Sequence, residues 1–185
     1  MGTGSCIRIK FEGEIVFSAI LNHAGGIYND PPDGVGDHVL EFLRDQTLYE
    51  RLKSSAHLLD PFDCEEDQND RWIQSNFGQY ATDVLDPLQM KLLRGKKLKV
   101  PYVNAPMSYV EYYYVIDLDE NNISIRCDPN EPQVFAIGSL PGSYEIVARI
   151  ERPSGRVQVD SPKFARVQDH FEDIRRQLNN LPRGS

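Results

Sequence analysis

Cysteine is scarce and lacks any pairing pattern: Cys6, Cys64 and Cys127 are spread across 185 residues. An odd count cannot pair completely within one chain, and with no Cys-x-x-Cys motif neither a zinc knuckle nor dithiol exchange is written in. These residues predict buried or free thiols in a reducing cytoplasm. No apolar run approaches the roughly 20 residues needed to cross a bilayer. The first five residues are small and polar, unlike a signal peptide, and Cys6 stands where a myristoylation motif wants Ser or Thr, so no membrane partner is expected. Cations are in deficit: 20 Lys and Arg against 28 Asp and Glu leave a net charge of -8. That balance disfavours nucleic acid, whose phosphates need clustered Lys and Arg, and favours solubility and a basic partner. Internal repeats and low-complexity segments are absent. No P-loop, dinucleotide fingerprint, EF-hand or metal-ligand spacing occurs either, so no cofactor and no metal are predicted.

A hydrophobic content of 40%, with 10% aromatics, supplies a core. A chain this long buries roughly 70% of its unfolded surface. One domain is expected over 1–180. Leu181–Ser185 resembles a protease-site remnant and is left out of the fold.

Period-2 alternation over Cys6–Phe11 and Ile15–Asn22 predicts a hairpin turning at Glu12-Gly-Glu14. A long Gly, Pro and Asp loop, 23–37, then opens into a helix through His38–Arg44, with Asp33 as its expected N-cap. A second helix is expected over Leu48–Leu59, stopped by Pro61. The stretch 60–70 carries six acids and is expected as a solvated loop. Helices follow over 71–85 and, restarted after Pro87, over Leu88–Arg94. From residue 98 the pattern turns to β. Tyr109–Leu118 is a strong strand with Val110, Tyr112, Tyr114 and Ile116 on one face, turning at 119–122 into Ile123–Cys127. Strands are expected at 134–137, 144–150 and 157–159, with a hairpin at Pro153–Gly155. A closing helix, Lys163–Leu178, carries a stripe of Phe164, Val167, Phe171, Ile174 and Leu178. Hairpin, helices, meander, helix reads as α+β: an antiparallel sheet packed with about four helices.

The opening Met1-Gly-Thr-Gly-Ser5, the run Gly34-Val-Gly-Asp-His-Val-Leu-Glu-Phe-Leu43 and the strand Tyr112-Tyr-Tyr-Val-Ile-Asp-Leu118 resemble an uncharacterised family of small bacterial and phage proteins. That family opens Met-Gly-Thr-Arg-Ser, follows its strand with an Asp-Gly-Tyr-Pro-like loop and enters a Glu-Phe-Leu helix. The likeness covers the first 45 residues and the strand near 115. Here Gly4 replaces the family's Arg, and the loop is expanded across 25–32. The resemblance implies the fold and a prokaryotic or viral setting, and it carries no activity.

Loops held on rigid elements are where sites are built, and 23–38 is the long one. His23, Gly25, Gly26, Tyr28, Asp33, Gly34 and Gly36 are its candidate ligand-binding residues. A helix N-terminus attracts anions, although Asp30, Asp33 and Asp37 crowd the same end. The basic run Lys91, Arg94, Lys96, Lys97, Lys99 supplies the missing positive charge if Lys96 and Lys97 meet the loop; otherwise it is a solvated helix end. No catalytic residue is assigned. The expectation is a cytoplasmic, non-enzymatic binding protein for a protein or a small ligand, anionic or nucleotide-like included. Two alternatives stand beside it. Cys6, paired with the His23 loop, would make a small cysteine-dependent hydrolase. The acids of Asp60–Asp70 would make an acidic inhibitor or immunity-type protein.

Overall fold

The computed structural model describes residues 4–26, 33–104, 110–127, 133–140 and 143–148. The expected strand 157–159, the hairpin at 153–155, the helix 163–178, the tail 181–185 and Tyr28 lie outside the described residues.

The chain begins with a hairpin, β1 (Gly4–Phe11) and β2 (Glu14–Leu21), paired antiparallel with Cys6 opposite Ile20 and Ile7 opposite Ala19. Its two turn residues, Glu12 and Gly13, both have positive φ, at 53° and 80°. This is the primed turn whose twist matches the strands. A non-glycine residue in that region costs about 1 kcal/mol. The compensating contact comes from far along the chain. The Asp119 carboxylate accepts from both turn amides, Glu12 N at 2.8 Å and Gly13 N at 2.9 Å.

Among the described residues, four α-helices and six further strands follow: α1 (Val35–Arg44), α2 (Gln46–Ser55), β3 (Leu59–Asp63), α3 (Glu66–Phe77), α4 (Leu85–Leu92), β4 (Leu98–Tyr102), β5 (Val110–Asp117), β6 (Asn122–Cys127), β7 (Gln133–Leu140) and β8 (Ser143–Ala148). Several boundaries differ from expectation: the helix expected over 71–85 runs Glu66–Phe77, and the one expected over Leu88–Arg94 runs Leu85–Leu92, with Pro87 in its first turn, where the missing N–H is tolerated. The second helix ends at Ser55, and after a 3₁₀ turn the chain becomes β3. Pro61 therefore sits in a strand, and that strand is the sheet edge, where proline is tolerated. The acids of 60–70 do not form a solvated loop. Asp60 and Asp63 belong to β3, while Glu66, Asp67 and Asp70 fill the first turns of α3, where carboxylates complement the helix dipole. Gln68 Oε1 reaches back to Glu65 N at 3.0 Å, half of a capping box.

The fold is α+β, but its sheet is mixed and not purely antiparallel. Strand order is β3-β4-β2-β1-β5-β6-β7-β8. β3, β4 and β2 run parallel, and so do β1 and β5; β5 through β8 form the expected antiparallel meander. Alternation is the same for both kinds of pairing, so strand sequences could not show this. Direction is decided by the connections. Helices α1 and α2 between β2 and β3, and α3 and α4 between β3 and β4, return the chain to the same end each time.

Side chains align in rows across the sheet: Phe17, Ile9, Ile116 and Ile123 in one, Ala19, Ile7, Tyr114 and Ile125 in the next. All eight are buried against the helices, with Val39, Leu43, Leu52 and Leu88 among their neighbours. Val110, Tyr112, Tyr114 and Ile116 are the buried set of β5, as their alternation predicts. Cys6, Ile20, Val103 and Val110 make a second, smaller buried cluster.

Strand β2 touches β4 at a single register pair, Ser18 with Tyr102. Val103 N donates to Ser18 O, and N–H groups two residues apart point the same way. The corresponding donor two residues earlier is Pro101, which has no N–H, so the ladder cannot extend in that direction. In the other direction β4 ends, leaving the outer N–H and C=O of Ile20 without a strand partner. The fully buried Asn69 of α3 takes both: its Oδ1 accepts from Ile20 N at 3.0 Å, and its Nδ2 donates to Ile20 O at 2.9 Å. One carboxamide thus acts as a single residue of an absent strand.

Two outcomes follow. Asn69→Ala strands a buried donor and a buried acceptor, which costs about 2–4 kcal/mol in urea unfolding; a cost near zero would remove Asn69 from this role. Asp119 is held below the usual carboxylate range by the two turn amides it accepts. Its contribution is therefore present above its unfolded pKa and is lost as pH falls through the lower folded value. Asp119→Asn is expected to flatten that part of the acid limb of the stability profile, measured by thermal melts across acidic pH.

Candidate functional site

The chain leaves β2 at Asn22 and returns at Asp33, and the described parts of this loop are folded inward. Ala24, with φ of 47°, aims its carbonyl at Val35 N, 2.7 Å away, and Gly26 O accepts from Gly36 N at 3.0 Å. These are the first backbone donors of α1, the groups an anion would need. The helix is also capped from within. Its N-cap is Gly34, not Asp33, and the Asp37 carboxylate accepts from Gly34 N at 3.0 Å. Asp33 is exposed, while Gly25, Gly26, Gly34 and Gly36 are buried. The glycines serve close packing: a Cβ on Gly26 would lie 3.1 Å from the Tyr112 ring. Tyr112 stacks on Tyr114, and the wholly buried Tyr114 donates its hydroxyl to Gly25 O at 2.8 Å.

Lys96 and Lys97 do not join this loop. They precede β4, and β4 runs parallel to β2 with Tyr102 level with Ser18. Counting at about 3.3 Å per residue, the lysines lie near the hairpin-turn end of the sheet, about 30 Å from His23. The described members of the predicted set therefore divide: His23 at one end, the two lysines at the other, Asp33 exposed, and the glycines buried beside the start of α1.

His23 faces a cleft. The cleft encloses about 240 Å³ at the end of β2, with Ile20, Leu21, Ile73 and Ala81 as its apolar lining and Asn22, His23, Asp70, Gln74 and Gln79 as its polar one. Asn69 positions it by drawing the first turns of α3 against Ile20, which sets Asp70 beside Asn22. Asp70 Oδ1 accepts from Asn22 Nδ2 at 3.1 Å and from Asn69 Nδ2 at 3.2 Å. The His23 ring meets the exposed Tyr80 ring edge-on, centroids 4.6 Å apart. Among the described residues no cation lines this cleft. Asp70, Gln74 and Gln79 were not singled out from sequence. The run Glu65-Glu-Asp-Gln68, acids and a glutamine, is compatible with the helix start that places these residues, but by itself it suits a solvated loop as well.

A second hollow of about 260 Å³, lined by His38, Glu41, Phe42, Asp45, Leu48, Asp83 and Asp86, lies between α1 and the start of α4. Burial, opposed by the Asp86 amide and by His38, pushes the Asp83 carboxyl up. Among the described residues no group of three His, Cys, Asp or Glu side chains is placed to hold a metal ion.

The chemistry of a cysteine hydrolase is not assembled at Cys6. Its thiol is 1% exposed, and burial pushes its pKa up although Arg8 and Ser18 oppose the shift. Its polar neighbour is Ser18 Oγ at 3.7 Å, and Ser18 is itself engaged by Arg8 Nε at 3.2 Å and by Val103 O at 3.0 Å. Cys6 lies opposite Ile20, and His23 is three residues further on. A buried, protonated thiol is a poor nucleophile. In a variant with Cys64→Ser and Cys127→Ser, Cys6 is expected to resist iodoacetamide at neutral pH until denaturant is added. Labelling of the folded variant as fast as that of a free thiol would contradict this placement.

No helix among the described residues is long and apolar enough to cross a membrane. No protein-family model, no curated protein and no solved structure matches this chain.

Proposed function

We propose that this is a non-enzymatic binding protein whose ligand enters the cleft between the end of β2 and α3. The observation that carries the reading is the composition of the cleft: among the described residues, one carboxylate, three side-chain amides and an imidazole over an apolar lining, with no cation. Such a surface selects a neutral or cationic ligand rich in hydrogen-bond donors. An anion would meet Asp70 without compensation. The nucleotide-like ligand expected from the glycine loop finds little support here, since the Val35 and Gly36 amides are already bonded and the lysines are remote. The cleft is smaller than the roughly 300–1,000 Å³ of drug-sized sites, which suits a ligand the size of an amino acid or a single sugar. His23 and Tyr80 add an aromatic rim. A reducing cytoplasm agrees with the buried free thiol of Cys6. The prokaryotic or viral setting implied by the resemblance belongs to the same proposal.

Thermal-shift and calorimetric titration with free amino acids, polyamines, monosaccharides and nucleosides tests this, with nucleoside triphosphates and inorganic phosphate as anionic controls. A neutral or cationic compound is expected to raise the Tm. His23→Ala and Gln74→Ala are each expected to weaken binding about ten-fold, the effect of losing one good hydrogen bond to a ligand. Binding of the anions alone, or binding indifferent to both substitutions, would overturn the proposal.

A further inference from the structure

The chain is acidic overall, yet five of its 20 Lys and Arg fall together in one short stretch. Between Pro87 and Val100 there is no Asp or Glu, and Lys91, Arg94, Lys96, Lys97 and Lys99 fall within nine positions. Lys99 stands opposite Asp60 on β3. The other four project from the end of α4 and the segment leading to β4, where Arg94, Lys96 and Lys97 are exposed. None of the five forms an ion pair among the described residues, whose salt bridges are Lys10 with Asp117 and Arg71 with Asp67.

Apolar surface lies in the same place. Helix α4 buries Leu85, Leu88, Gln89 and Leu92. Met90 and Leu93, three residues apart and so neighbours on one ridge, are turned outward at 55% and 50% exposure. Tyr80 is the other large hydrophobic residue exposed among the described residues, and it rims the cleft. Met90 and Leu93 thus form an apolar pair with cations on its flanks, at the far end of the sheet from His23.

We propose that this ridge docks an acidic segment of a protein partner, with apolar side chains seated on Met90 and Leu93 and carboxylates facing Arg94, Lys96 and Lys97. Charge complementarity selects the occupant. The cations are uncompensated within the described chain, and oppositely charged surfaces steer and register an encounter. Methionine adapts its shape to an incoming side chain. A bilayer is a poorer fit. Helices that lie in a membrane interface present one long amphipathic face, whereas α4 has eight residues and offers two apolar ones. A net charge of -8 also opposes an anionic leaflet. Single-stranded nucleic acid would want aromatic stacking platforms, and the ridge has Met and Leu.

A fluorescein-labelled peptide of alternating Glu pairs and Leu pairs is titrated into the full chain by fluorescence anisotropy. Phosphatidylserine-containing vesicles and an oligouridine are run in parallel. The peptide is expected to bind, and to weaken about ten-fold between low and physiological salt as screening shortens the reach of the cations. Met90→Ser with Leu93→Ser is expected to weaken it about ten-fold again. Lys96→Glu with Lys97→Glu does the same and removes most of the salt dependence. All four side chains are exposed, so thermal melts should remain within a few degrees of the parent. The proposal is overturned if the peptide does not bind, if binding ignores both variant pairs, or if vesicles or oligouridine bind more tightly than the peptide. It is overturned equally if the Met90 and Leu93 substitutions change the sedimentation of the unliganded protein, which would assign the ridge to a second copy of the chain.

Discussion

A strand in the middle of a sheet must find partners for its backbone on both sides, and β2 cannot do so with strands alone. Pro101 withholds a donor on one side of the Ser18 contact, and β4 stops on the other. The Asn69 carboxamide closes the gap by bonding both polar groups of Ile20. A buried amide and carbonyl left open would together cost several kcal/mol, a large part of the stability of a domain this size. The same contact holds α3 against the strand end, and that placement brings Asp70, Ile73 and Gln74 alongside Asn22 and His23. The edge repair and the cleft are therefore one construction.

The glycine-rich loop illustrates how backbone satisfaction overrides a motif. Glycines before a helix suit an anion only if the helix amides remain free. Here Ala24 and Gly26 carbonyls occupy the Val35 and Gly36 amides, and Asp37 takes Gly34. What the loop gains is close approach to the Tyr112 and Tyr114 pair, with the Tyr114 hydroxyl bonded to Gly25 O in a setting where an unbonded hydroxyl would be costly. The residues most suggestive of a phosphate site are the ones that lock β5 to the start of α1.

Charge is distributed with a matching logic. Among the described residues, the cleft at the end of β2 has one carboxylate and no cation, while the far end of the sheet carries Lys96 and Lys97 beside an exposed Met and Leu. Separated by about the length of a strand in each direction, the two surfaces lie several Debye lengths apart at physiological salt, so their fields are independent. The donor-rich ligand and the acidic partner segment proposed above would therefore not compete.

Local pattern determined the hairpin and its turn, the buried face of β5 and the presence, among the described residues, of four helices, because each rests on periodicity and turn chemistry within a few residues. The reading failed where two patterns share one signature. Acids at 65–70 suit a solvated loop and a helix start equally, and Gln68 decides for the helix only once its bond to Glu65 N is seen. Alternation in β2, β3 and β4 says nothing of direction, so a mixed sheet was read as antiparallel. The lysines near 96 and the glycines near 25 look combinable because sequence contains no distances, and parallel pairing puts them at opposite ends of the neighbouring strands β4 and β2. Only tertiary structure could join Asn69 to Ile20 or Asp119 to Glu12 and Gly13, since such contacts span 49 to 107 residues and leave no periodic trace. The chain by itself thus determined which faces are apolar; the satisfaction of buried backbone groups, which depends on what arrives from elsewhere, decided how its helices and loops sit around the sheet.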